Sequence, residues 1–333
     1  MPNPVPMIEL FRGGLWEATH LGHAVVVDQS GDIRASWGDP DLVVLPRSSV
    51  KMVQALPLVE SGAADAIGLT DRQLALACAS HTGARIHTDA VRAWLTELGF
   101  SDDDLVCGPQ EPRDLPARDA LIRAGDPVCR CHNNCSGKHT GFLTYARHLR
   151  TELDYATPDN PVQIAVRTAF EDLTGDPSPG FGIDGCSAPN FACTLTGLAR
   201  AMAFFANAPE DGSTRERAAF RLHRAMAMHP EMVHGVNRVC TRLMQAMEGR
   251  AAVKIGADGV YTGILPDLGL GIALKIADGA SRGAEAAMTA LLIHLGALDA
   301  NHPTAKEFGQ PDITNFAGLT CGTTRPAPGF PSA

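Results

Sequence analysis

The chain is 333 residues long, and at roughly 150 residues per domain that length allows one large domain or two. Its 28 Lys and Arg against 37 Asp and Glu leave a net charge of −9 with no Lys/Arg-dense block, which excludes a nucleic-acid surface or a binder of anionic membranes. Hydrophobics at 45% and aromatics at 5% give an ordinary globular balance and exclude disorder as the main state.

From the N-terminus, residues 15–28 read as a strand, and Ser30-Gly31-Asp32 turns into a second run at 33–37, a hairpin pattern. Residues 42–45 (LVVL) form another short apolar run, stopped by Pro46. Met52, Val53, Leu56 and Val59 are spaced for one helical face, with a kink expected at Pro57. Thr70 and Gln73 make a capping box ahead of LALACAS, a helix that Gly83 is expected to end. Asn160-Pro161 opens another helix as N-cap and first-turn proline, and two or three more follow between about 191 and 248.

Then the period returns to two. Residues 252–256, an Asp258-Gly259 turn, 260–264 and 270–277 read as an antiparallel meander, followed by a helix over about 283–298. The proline-rich tail after Asn301 reads as irregular. We therefore expect a single domain over 1–333, with a sheet from about 7–45 and 250–278 packed with the last helix, and a helical region over about 48–248. The fold class is α+β (mixed α/β), an antiparallel sheet with a helical cluster, and not a Rossmann alternation. The most apolar stretch, 286–298, falls short of the roughly 20 residues a bilayer span needs. No basic segment followed by an apolar run marks a secretory signal, so we expect a cytoplasmic protein whose nine cysteines are free thiols or metal ligands.

Three places carry chemistry. In Pro46-Arg47-Ser48-Ser49-Val50-Lys51, Ser48 and Lys51 stand three apart at a helix start, so the amine is expected within reach of the Ser48 hydroxyl. Alone, such a tetrapeptide is common, and an N-cap serine with a solvent-facing lysine is its ordinary meaning. Ser80 in the helical region and Lys254-Ile255-Gly256 on a strand complete a layout similar to serine β-lactamases and penicillin-binding proteins. The middle motif, Ser80-His81-Thr82, lacks their Asn, and Ile255 replaces their hydroxyl residue.

The segment CRCHNNCSGKH packs Cys129, Cys131, His132, Cys135, Lys138 and His139 together, and GIDGCSAPN adds Asp184 and Cys186. Zinc ligation and free, partly buried thiols are both open readings, and the lack of a Cys-x-x-Cys pair disfavours a structural finger. Cys78, Cys193 and Cys240 lie in helical patterns and read as core, as do scattered histidines such as His20, His23, His223 and His294, at the surface or within it. No Walker A or Gly-x-Gly-x-x-Gly string offers a nucleotide cradle.

Taken together, PRSSVKMVQALPLVESGAAD, CASHTG, CHNNCSGKHTGFL, GIDGCSAPN and VKIGADGVY resemble the rhizobial-type (class 3) L-asparaginases, from residue 7 to about 320. The resemblance implies hydrolysis of L-asparagine to L-aspartate and ammonia by a homodimer whose fold is similar to serine β-lactamases and glutaminases. Position by position it implies two Ser–Lys pairs, Ser48 with Lys51 and Ser80 with Lys254, and a Zn2+ site of Cys135, Lys138 and Cys186. Arg47, His139 and Asp184 flank these positions and are candidates for orienting substrate; Cys129 and Cys131 receive no role. Ser48 is then the expected nucleophile and Lys51 its base, with Ser80 and Lys254 relaying the proton and zinc aiding substrate binding. A glutaminase or a β-lactamase-like serine amidohydrolase is the alternative.

Overall fold

A computed structural model describes residues 3–331 of the chain. Its main sheet is eight-stranded and antiparallel. In chain order the strands are β1 (Val5–Arg12), β2 (Leu15–Val27), β3 (Ile33–Trp37), β4 (Val43–Val44), β5 (Phe181–Ile183), β6 (Pro189–Phe191), β7 (Cys193–Thr194), β8 (Ala252–Ile255), β9 (Val260–Leu265), β10 (Leu270–Ile276), β11 (Asp312–Thr314) and β12 (Thr320–Pro326). The spatial order is β11-β12-β1-β2-β10-β9-β8, with β3 on the far half of β2. Strands from both ends of the chain thus share one sheet, and the helices between them cluster against it, as the change of period predicted.

The meander forms as expected. Asp258 (φ 54°) and Gly259 (φ 74°) both take the left-handed conformation that a tight hairpin needs, and they join β8 to β9. Every residue of β9 is buried, and successive strand residues face opposite sides, so both faces of the sheet are covered there. The helices Leu195–Asn207 and Ser281–His294 both pack on β9 and β10.

Several expectations need correction. The tail is not irregular: a helix over Pro303–Gly309 leads to β11 and β12, and β12 pairs along β1 inside the sheet. Thr320, Thr323 and Thr324 suit a strand, but the partner lies some three hundred residues away, and nothing local announces it. Val43–Val44 leave the main sheet and pair with Cys193–Thr194. Cys193 is buried, yet on a strand rather than a helix. The region 191–248 holds four helices, the second opened by an unforeseen capping box of Ser213 and Glu216.

Helix starts were the most legible boundaries. The Thr70–Gln73 box is made reciprocally, and Asn160 accepts the Val162 N–H at 2.9 Å. That first helix, however, stops at Ala77 rather than Gly83, so Ser80 sits on an extended segment beyond its end. The helix after Pro46 breaks at Ala55 into Lys51–Gln54 and Leu56–Glu60, with Pro57 in the first turn of the second piece.

Candidate active site

Two close approaches assemble the site. A Cβ at Gly256 would lie 2.7 Å from the Pro46 carbonyl oxygen, so only glycine lets the Arg47–Val50 turn lie against the end of β8. Thr262 on β9 ties the same seam, its hydroxyl donating to the Ser49 carbonyl at 2.8 Å. A Cβ at Gly137 would lie 2.4 Å from the Leu76 carbonyl, so the helix Ser136–Leu149 crosses Asp71–Ala77 at backbone distance. The first contact sets the Ser48 turn against the strand that carries Lys254, and the second brings Cys135 to Lys51 beside Ser80.

Around Ser80 two lysines meet. Lys51 is 1% exposed and Lys254 0%, and each donates to Ser80 Oγ at 2.9 Å. Lys51 Nζ also donates to Cys135 Sγ at 3.0 Å and to the Ala79 carbonyl. Among the described residues none of its hydrogen bonds goes to Ser48, so the anticipated Ser48–Lys51 contact is replaced by a Ser80–Lys51 contact. The cause is tertiary: the Ala79–Ser80 segment, pinned by Ser80 N–H to Val233 O (2.8 Å) and His81 N–H to Asn134 O (3.0 Å), occupies the space the amine points into. Burial and then the Lys51 charge push Lys254 down to about 7.

Ser48 and Ser80 both line a cavity of about 350 Å³. Its other walls come from Arg113, Asn134, His234, Arg238, Asp258 and Glu285, together with the Ile255–Ala257 backbone. Of these, sequence reasoning singled out Ile255 and Gly256 as part of a motif and Asp258 as part of a turn, and none as a cavity wall. Asn134 stands inside the quoted CHNNC motif and was within reach; Arg113 and Arg238 come from loops, and His234 and Glu285 from the helices Pro230–His234 and Ser281–His294, with no local signature. Burial raises the Glu285 carboxyl, while Arg238 acts against it. Burial and nearby cations hold His234 far below the ordinary imidazole value, so it is neutral.

Arg47 is left-handed (φ 55°), strained for a non-glycine residue. Its N–H donates to Asn190 Oδ1 at 3.0 Å, and its guanidinium grips Asp184 at 2.8 and 3.1 Å and reaches Asp258 on the cavity wall. Burial pushes Asp184 up, but Arg47 and Lys138 together outweigh it and the carboxyl lies below its ordinary value. These two residues therefore brace the cavity rim. His139 does not join them. It is fully buried, its Nδ1 is 3.0 Å from the Tyr155 hydroxyl, and its Nε2 has no partner. It does not line the cavity.

Cys135, Lys138 and Cys186 converge as anticipated. All three are buried, and Lys138 Nζ donates to Cys186 Sγ at 3.1 Å, its one hydrogen bond among the described residues. The neighbouring Cys135 thiol pulls Cys186 down, and Lys138 adds to the effect; Cys135 is raised in return. A thiolate, a second thiol and an amine with no other hydrogen-bonding task are a donor set that fits Zn2+, provided Lys138 surrenders its proton.

The sequence matches the L-asparaginase II family over residues 8–326. The chain belongs to that family. Membership makes it an amidohydrolase of the asparaginase kind. No match was found among curated proteins. Among solved structures it is similar to a putative beta-lactamase from Bacteroides dorei DSM 17855 (12% identity, TM-score 0.43, covering 77% of this chain and 84% of that one). It is also similar to Mglu in its native form (15%, 0.45, 79% and 61%) and to a beta-lactamase from Mycobacterium bovis (12%, 0.35, 79% and 89%). Among the described residues no helix of this asparaginase-family chain is long and apolar enough to cross a membrane.

Proposed function

We propose that the protein hydrolyses L-asparagine to L-aspartate and ammonia by acyl transfer to a serine. The observation that carries this reading is the Ser80 hydroxyl held between two buried amines in the wall that Ser48 shares. The charges around the cavity suit a small zwitterion: Arg113 and Arg238 for an α-carboxylate, Glu285 and Asp258 for an α-ammonium. That pairing favours a free amino acid over a β-lactam, which carries no ammonium of this kind on its ring. It leaves L-glutamine, one methylene longer, as the competitor to test.

Ser48 is the nucleophile in this reading. Its hydroxyl borders the cavity at the start of a turn, whereas Ser80 Oγ is occupied by two amine neighbours. Lys254, with its value near 7, is half neutral at neutral pH and takes the proton through Ser80; Lys51, a like charge beside it, keeps it that way. The same proton then goes to the leaving amine, and water hydrolyses the β-aspartyl ester. Backbone N–H groups of the turn stabilise the oxyanion, at about 3 kcal/mol per donor. Cys135, Lys138 and Cys186 would hold Zn2+, which when bound supplies a Lewis-acidic anchor for the substrate end of the site. A homodimer and a cytoplasmic setting belong to the same proposal.

A second reading makes Ser80 the nucleophile, favoured by its two direct amine contacts. Rapid-quench mass mapping of the acyl-enzyme separates the two: the adduct is expected on Ser48, and an adduct on Ser80 reassigns the roles. Ammonia release from L-asparagine, L-glutamine and a chromogenic β-lactam, measured in parallel, tests the substrate, and turnover of the β-lactam alone defeats the proposal.

A further inference from the structure

Upstream of Cys135 on the same segment lies a donor set that the catalytic cavity does not use. Cys129 and Cys131 flank Arg130 on one tight turn, with His132 next, and the Sγ, Sγ and Nδ1 atoms of the three lie within 4.8 Å of one another. Cys129 Sγ is 2.9 Å from Cys131 Sγ and 3.1 Å from His132 Nδ1. The Cys129 N–H donates to that same Nδ1 at 3.0 Å, which makes Nδ1 the unprotonated ring nitrogen, and ligation exchanges this hydrogen bond for the metal.

The turn is held from outside. Arg130 donates to the carbonyls of Asp103 and Leu105, each at 2.7 Å, and Ser136 Oγ donates to the Cys131 carbonyl at 2.9 Å. The charges around it are paired as well. Arg92 lies 3.2 Å from Cys129 Sγ and 3.8 Å from Asp102, whose Oδ1 is buried without a partner. Two thiolates and a divalent cation are neutral together, and Arg92 with Asp102 adds no net charge. Open space lies alongside: His132 and Arg92 line a cavity of about 630 Å³ between the helices Arg85–Glu97 and Leu115–Ala124.

We propose that Cys129, Cys131 and His132 form a second metal site, outside the catalytic cavity, for a thiophilic divalent cation of the Zn2+ type. Two thiolates and one imidazole are the donors such a cation prefers, with Zn–S about 2.3 Å, so the sulfurs part to about 3.8 Å on binding. The two thiol protons leave to solvent. Its role is to brace the segment between the two sites: Asn134 lines the catalytic cavity, Cys135 touches Lys51, and Ser136 links the Cys131 carbonyl to His81 beside Ser80 at 2.8 Å.

The test counts metal and leaves activity aside. Zn2+ per chain by elemental analysis, and Co2+ titration with its thiolate-to-metal absorption, are measured on the wild type, on Cys135→Ser/Cys186→Ser and on Cys129→Ser/Cys131→Ser. We expect two equivalents in the wild type and one in each double variant, with two-thiolate absorption retained in Cys135→Ser/Cys186→Ser. His132→Ala, a milder change, is expected to weaken the same equivalent. A single wild-type equivalent that survives Cys135→Ser/Cys186→Ser supports this site and defeats the zinc assignment above. The proposal is overturned if Cys135→Ser/Cys186→Ser, still folded by its melt, holds no tight metal, or if peptide mapping of reductively purified protein finds Cys129 and Cys131 joined as a disulfide.

Discussion

Lys254 and Lys138 are both fully buried, yet the molecule moves their amines in opposite directions. At Lys254, burial acts first and the Lys51 charge adds to it, bringing the amine down to about 7. At Lys138, burial also pulls downward, but the sulfurs of Cys186 and Cys135 outweigh it and the amine is raised. Desolvation is the same penalty in both places; the sign of the nearest charge decides the result. One region thereby holds an amine that is readily neutral, and the other an ammonium matched to the Cys186 thiolate, whose proton a metal would have to displace.

The strongest way to break the proposed division of labour is at the proposed nucleophile. Ser48→Ala is expected to lower kcat by about a thousandfold or more, with the fold intact. Ammonia release and a thermal melt on one sample check it. Near-wild-type turnover would mean that the lysine pair serves Ser80 directly.

Lys254→Met comes next, with a predicted loss of about a hundredfold or more in kcat. The same change should raise the melting temperature. Between pH 7 and the ordinary lysine range the unfolded chain binds a proton that the folded chain refuses, so wild-type stability rises with pH across that window, and below about 7 the full cost is present. Removing the amine removes this cost, and the pH dependence of the melt should flatten. Wild-type kcat/KM, for its part, should climb with pH through an apparent value near 7. Lys138→Met is the contrast: it strips the thiolate of its cation and should lower the melt while raising the Cys186 thiol titration, followed by thiolate absorbance.

A smaller effect is expected from Cys186→Ser or chelation. If the thiol side binds substrate and leaves proton transfer to the lysines, KM rises about tenfold while kcat changes little. A collapse of kcat with KM unchanged would place the metal on the scissile carbonyl. The least effect belongs to Thr262→Val, which frees the Ser49 carbonyl that anchors the catalytic turn to β9 and should cost about 1 kcal/mol in a denaturant melt.

Local patterns set much of what the structure shows. The capping box at Thr70, the Asn160 cap, the Asp258-Gly259 hairpin and the period change near residue 250 are all written within a few residues, because capping and turn geometry are short-range physics. The same holds for the motifs: Ser80, Lys254, Cys135, Lys138 and Cys186 meet where their segments were singled out. His139 lies off the cavity: a histidine beside a ligand cluster carries no signal of which way its ring turns, and this one turns into Tyr155 and Phe142.

What the sequence by itself determined is therefore the N-terminal and C-terminal strand runs, the helices that carry caps, and the residue types able to do amide hydrolysis. Tertiary structure alone decided the pairings. It sent Lys51 to Ser80 instead of Ser48, drew β12 from the far end of the chain against β1, and built the cavity's charged walls from Arg113, Arg238 and Glu285. The reason is range. A helix cap closes within one turn, whereas the direction of a buried amine depends on which distant backbone fills the space beside it, and here Gly137 and Gly256 set that by letting chains approach more closely than any other residue permits.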